Sequence, residues 1–126
     1  MKIFAVDFDG VITRHNRFPH LGDPNIELIE WLKRQKEDGV KLILWTCREG
    51  WLLEEAVTFC QSYGLEFDAI NANLPEVIKR YGGDNRKVFA HMYIDDCCKT
   101  PWEIIKPVPK SKVENPVVRR KSRIVR

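Results

Sequence analysis

The chain has 126 residues, 44% of them hydrophobic, which suits one soluble domain around one core. No apolar run approaches the roughly 20 residues that a membrane span requires, so no membrane partner is expected. The net charge of +3 is unevenly spread: residues 1–105 carry thirteen basic and seventeen acidic residues (−4), while the segment from Lys106 onward carries eight basic residues and one acid, Glu114 (+7).

The opening MKIFAVDFDG holds one lysine and then acids, with no small-residue cleavage site, unlike a secretory leader. Its KIFAVDF segment predicts a buried strand, yet Asp7 and Asp9 stand one residue apart at its end. Alternation puts both on the same side of an extended chain. Unpaired buried carboxylates are costly and persist where a metal ion or a reaction needs them. Residues 10–25, GVITRHNRFPHLGDPN, form a connection long enough to act as a flap over a site. Arg14, His15 and Arg17 in it are placed to meet a substrate, or simply to face solvent.

NIELIEWLKRQKEDG then predicts an amphipathic helix, capped by Asp23 or Asn25 and closed by Gly39. VKLILWT is a second apolar strand, and GWLLEEAVTFCQSYGL a second helix stopped by Gly64. FDAINA is a short third strand. LPEVIKRYGG is a short helix started by Pro75, KVFAHMYIDD a fourth strand, and PWEII a fifth edge strand or a turn. Strand and helix alternate, and the strands are nearly continuous in apolar residues. That pattern implies α/β architecture with a mostly parallel sheet.

Three strands end in polar groups: the first at Asp7, the second at Thr46, the fourth at Asp95 and Asp96. In an open parallel sheet, ligands bind beyond the carboxyl ends of the strands, so these ends point to one crevice. A carboxylate cluster suits Mg²⁺, a hard cation that also takes phosphate oxygens as ligands. An aspartate can then act as a nucleophile toward phosphorus, and a second carboxylate two residues on can protonate the leaving oxygen. A hydroxyl and a lysine would hold the phosphoryl oxygens. Gly10 permits a left-handed turn close to a phosphate. Arg48 suits a bidentate contact to a substrate anion or a pairing with nearby Glu49 or an aspartate. Cys47, between Thr46 and Arg48, is a substrate-facing candidate, with small buried packing as its plainer reading.

These residues resemble the haloacid dehalogenase-like (HAD) superfamily. DFDGV is similar to its first motif, hhhDxDGx; LILWT to the second, a strand ending in Thr or Ser; and MYIDD to the fourth, in its paired-acid form. The resemblance implies a three-layer Rossmann-like fold and a Mg²⁺-dependent phosphohydrolase. It makes Asp7 the nucleophile, Asp9 the general acid/base and Thr46 a phosphoryl-binding hydroxyl. Lys87 is chosen as the third-motif lysine, with Lys79 as the fallback. The implied metal ligands are Asp7, Asp9 and Asp96, with Asp95 as an auxiliary. The resemblance spans residues 3 to about 105 and leaves no room for a cap domain, as in small capless members. Such members act on large phosphorylated substrates or close their site as homo-oligomers.

Residues 1–105 are thus expected to be the catalytic domain, and 106–126 a flexible basic tail. The tail holds three of the seven prolines and no aromatic residue, too little apolar surface to offset its ordering entropy. It either solubilises the chain or meets an anionic partner such as nucleic acid, the latter making the protein a nucleic-acid end phosphatase or nucleotidase. A binding module that keeps the fold without turnover is the rival from another class; intact Asp7, Asp9, Thr46, Asp95 and Asp96 argue against it. The four cysteines lack zinc-site spacing and Cys97 and Cys98 are adjacent, a pattern expected of a reducing cytoplasm.

Overall fold

Ile3–Val6 (β1) is a run of four apolar residues, all buried. A strand hidden on both faces loses the polar alternation of a half-exposed one and takes parallel neighbours. β1 pairs in parallel with Lys41–Leu44 (β2) on one side and Met92–Ile94 (β4) on the other; β2 pairs in parallel with Ala69–Ile70 (β3). The order β3-β2-β1-β4 carries the chain outward from β1 and then back across to its other side. The computed structural model describes residues 1–105; the basic tail, 106–126, lies outside the described residues.

Successive side chains of a strand face opposite ways. Phe4, Val6, Leu42 and Leu44 pack with Ile29 and Leu32 of Ile26–Glu37 (α1) and with Ala56 and Cys60 of Gly50–Ser62 (α2). Ile3, Ala5 and Ile43 pack instead with Val88, Leu74 and Val77, the last from Pro75–Tyr81 (α3). Asn25 caps α1: its Oδ1 accepts the Leu28 N–H at 3.3 Å, and its amide donates to the Val11 carbonyl at 3.1 Å. α3 starts on Pro75 and ends on Gly82 at φ +79, a left-handed cap that favours glycine.

The fourth strand is shorter than expected, and the segment expected as an edge strand or a turn takes the second form. The strand read over residues 87–96 contracts to β4, because Asn73 Oδ1 takes the Phe89 N–H at 2.6 Å; pairing with β1 starts only at His91, whose N–H donates to the Ile3 carbonyl at 2.7 Å and whose Nδ1 accepts the Ile3 N–H at 2.9 Å. Residues 101–105 are not an edge strand. Pro101–Ile104 (α4) is a single helical turn, started by a reciprocal Thr100 and Glu103 capping box. Met1–Asp96 form one compact unit, and α4 follows it in sequence. No helix among the described residues is long and apolar enough to cross a membrane.

Candidate active site

β1 and β4 end side by side. The Asp7 N–H donates to the Ile94 carbonyl at 2.9 Å, so Asp7 leaves β1 where Asp95 and Asp96 leave β4. On the other flank, the Trp45 N–H donates to the Val6 carbonyl at 2.8 Å and brings the Thr46 turn alongside. Adjacent parallel strands thus deliver the polar residues to one edge of the sheet.

The Asp7 carboxylate is half-buried and accepts the Phe8 N–H at 2.7 Å. Burial, followed by the charges of Asp95, Asp96 and Asp9, pushes its pKa up to about 6, while the Phe8 hydrogen bond pulls the other way. Every charge in that balance is a carboxylate. Asp95 and Asp96 offer oxygens within 4.8 Å of each other.

The chain then turns through Phe8–Ile12, closed by the Thr13 N–H on the Phe8 carbonyl at 3.1 Å. The buried Thr13 hydroxyl accepts the Gly10 N–H and donates to the His15 carbonyl, both at 3.0 Å. Gly10 sits at φ +80, and a Cβ built there would overlap the Asp96 carboxylate. Asp96 therefore lies against the backbone of this turn, and glycine is required twice over: for the dihedral angle and for the room.

Thr46 is held by Asn71, whose Oδ1 accepts the Thr46 N–H at 2.8 Å and whose amide donates to the Arg48 carbonyl at 3.3 Å. Asn71 itself adopts φ +51, a conformation that asparagine tolerates better than most residues. The Thr46 hydroxyl accepts the Arg48 N–H at 3.2 Å. Cys47 is exposed, which corrects the reading of it as buried packing.

Arg48 takes the second of its two expected roles, pairing with an aspartate. It is 1% exposed, and its fork grips Asp9 internally: Nε donates to Oδ2 at 2.9 Å and Nη2 to Oδ1 at 2.8 Å. Its place as a substrate-anion ligand is therefore corrected to that of a buried ion-pair partner. Asp9 is buried with it and has both oxygens engaged.

Lys87 does not join the acids. Its ammonium lies 5.8 Å from the centre of the Tyr93 ring, in a cavity of about 420 Å³ that Tyr81, Phe89 and Asn73 also line. Neither Lys87 nor the exposed Lys79 is among the charges acting on Asp7. Arg14, His15 and Arg17 are exposed on the flap, and Trp51 is 70% exposed at the start of α2.

Sequence reading missed two asparagines. Asn71 orients the Thr46 turn. Asn73 is 4% exposed; besides holding Phe89, its amide donates to Asp84 Oδ1 at 2.9 Å and the Asn85 carbonyl at 3.1 Å. The only available signal was the short polar run NAN after a strand.

No family model and no curated protein matches the sequence. Among solved structures, the chain is similar to the conserved protein coded by a locus of Bacteroides thetaiotaomicron: 43% identical, with a TM-score of 0.68, over 76% of each chain. At that identity and coverage, the chain belongs to the same family as this conserved protein of Bacteroides thetaiotaomicron.

Proposed function

We propose that the chain is a Mg²⁺-dependent phosphohydrolase that works through an aspartyl-phosphate on Asp7, on a capless three-layer fold of the HAD type. One observation carries the reading: Asp7, Asp95 and Asp96 converge from two adjacent parallel strands, and only like charges, together with burial, act to raise the Asp7 pKa. Clustered carboxylates of this kind fit a hard cation with oxygen ligands. Asp7, Asp96 and the Asp9 carbonyl would hold Mg²⁺, with Asp95 as the auxiliary. Bound there, it would neutralise charge on the acids and on the phosphoryl oxygens.

The protein groups divide the rest of the work. An Asp7 oxygen attacks phosphorus as the bond to the leaving oxygen breaks, and Asp9, having opened one of its bonds to Arg48 and taken a proton from solvent on the freed oxygen, gives that proton to the leaving oxygen. Asp9 then takes a proton from the water that attacks the phosphoryl group, releasing phosphate and restoring Asp7. The Thr46 hydroxyl holds a phosphoryl oxygen, and the Gly10 turn and Cys47 border the substrate. Lys87 serves only if its ammonium leaves the Tyr93 ring.

The substrate class is a phosphorylated small molecule or macromolecule, with the basic tail as a nucleic-acid contact in the second case. A homo-oligomer and a cytoplasmic location belong to the same reading. Hydrolysis of p-nitrophenyl phosphate, phosphorylated metabolites and phosphorylated oligonucleotides, with Mg²⁺ and with EDTA, tests it. Turnover should need Mg²⁺ and vanish in Asp7→Asn. Near wild-type turnover by Asp7→Asn would sink the covalent path.

A further inference from the structure

We propose that Arg48 is the positioning residue for Asp9, and that the same guanidinium fastens the flap over the site. The inference rests on the roles given to Asp7 and Asp9 above. Arg48 gathers three separate pieces of chain. Beyond its two bonds to Asp9, Nη2 donates to the His20 carbonyl of the flap at 3.0 Å and Nη1 to the Leu52 carbonyl of α2 at 3.3 Å. Its planar group lies 5.0 Å from the centre of the Phe8 ring and 5.2 Å from that of Phe18, a flap residue. The side chain has no exposure at all; the carboxylate of Glu55, itself partly exposed, lies 3.8 Å from Nη1.

Burying a guanidinium and a carboxylate is expensive, and well-packed apolar side chains often serve stability as well or better. An arginine kept in such a place calls for a role besides packing. The fork supplies one. Two parallel N–H bonds fix both the place and the plane of the Asp9 carboxylate, which a lysine ammonium cannot do. Asp9 reaches a leaving oxygen by giving up one of these bonds and taking a proton on the freed oxygen, while the other bond keeps it seated. The flap is held by the same nitrogen that holds Asp9 Oδ1, so the acid is placed only when the flap is down.

The test compares phenyl phosphate, whose leaving group needs a proton, with p-nitrophenyl phosphate, whose leaving group does not. Arg48→Gln should slow phenyl phosphate about 10²-fold, the scale of a misplaced catalytic group, and p-nitrophenyl phosphate less than about threefold. Arg48→Lys should fall between. In an Asp9→Asn background, Arg48→Gln should cost nothing further on either ester. That double variant leaves no buried charge unpaired, so it keeps the comparison available if Arg48→Gln alone does not fold. Trypsin cleavage at the exposed Arg14 and Arg17 should quicken in Arg48→Lys and Arg48→Gln. Equal losses on the two esters, an undiminished loss in the Asp9→Asn background, or unchanged flap cleavage would overturn the proposal alone. A wild-type protein that hydrolyses neither ester with Mg²⁺ would overturn it together with the phosphohydrolase reading.

Discussion

Replacing Asp7 by asparagine should stabilise the metal-free protein, and only on one side of a defined pH window. Burial and the neighbouring carboxylates raise the Asp7 pKa from its ordinary 3.8 to about 6. Between those values the folded protein holds a proton that the unfolded chain has released, so stability falls as pH climbs through the window and stays low above it. At about 1.4 kcal/mol per pH unit the ceiling is about 3 kcal/mol. Solvent reaches the half-buried side chain, and screening brings this to about 1–2 kcal/mol. Asparagine keeps an oxygen for the Phe8 N–H and loses only the charge. Melting curves in EDTA from pH 4 to pH 8 should show Asp7→Asn roughly 4–8 °C above wild type at pH 7.5, with the gap closing toward pH 4. Other groups titrate in both proteins and cancel in the difference. A gap of the same size at pH 4 and pH 7.5, or an Asn variant that melts below wild type at pH 7.5, would refute the reasoning.

Mg²⁺ should raise the melting temperature of the wild type by mass action, and Asp96→Ala should abolish that shift; a shift retained in Asp96→Ala moves the ligand role to Asp95. Gly10→Ala should cost about 1–2 kcal/mol and erase the Mg²⁺ response, since the new methyl meets the Asp96 carboxylate at a left-handed φ. An unchanged melting point and response would show that the turn yields. Asn73→Ala should cost about 1–3 kcal/mol in urea melts, because it removes a buried side chain that holds the part-buried Phe89 N–H and ties down the Asp84 loop; a cost under about 0.5 kcal/mol would contradict that role. Deleting residues 106–126 tests the tail. If it recruits nucleic acid, KM for phosphorylated oligonucleotides rises and its salt dependence flattens while p-nitrophenyl phosphate turnover holds; no selective change leaves it a solubilising extension.

The acids were legible in the sequence because each ends an apolar run, where a charge is costly and needs a reason. β1 and β2 were legible for the same cause, as uninterrupted hydrophobic stretches. The partner of Arg48 was not. Asp9 lies 39 residues away, and no local pattern tells which of several acids a guanidinium will meet once strands align. Asn71 and Asn73 were hidden because asparagine after a strand looks like a turn former, while its work here is to bind distant backbone. The fourth strand was read too long for a related reason: VFAHMYI looks extended throughout, but the Asn73 side chain takes the Phe89 N–H, and pairing with β1 begins only at His91, whose N–H donates to the Ile3 carbonyl.

The flap leaves and rejoins the fold at nearly one point. The Arg14 N–H meets the Asp23 carbonyl at 2.8 Å, the Asn25 N–H meets the Ile12 carbonyl at 2.7 Å, and Thr13 bridges Pro24 in antiparallel fashion. A loop whose two ends are already tied together can change its length without disturbing what lies below it. By chain statistics, doubling it costs only about 0.6 kcal/mol in closure entropy. The acids sit on the sheet, outside that tied stem, so a longer or differently shaped loop could be grafted between Arg14 and Asp23 while Asp7, Asp95 and Asp96 keep their places. What such a graft must preserve is small: a carbonyl at the height of His20 and a ring at the height of Phe18, both within reach of Arg48. The sheet-end acids and the loop above them are thus held by separate ties, joined through Arg48, so the loop can be rebuilt while Asp7, Asp95 and Asp96 stay fixed.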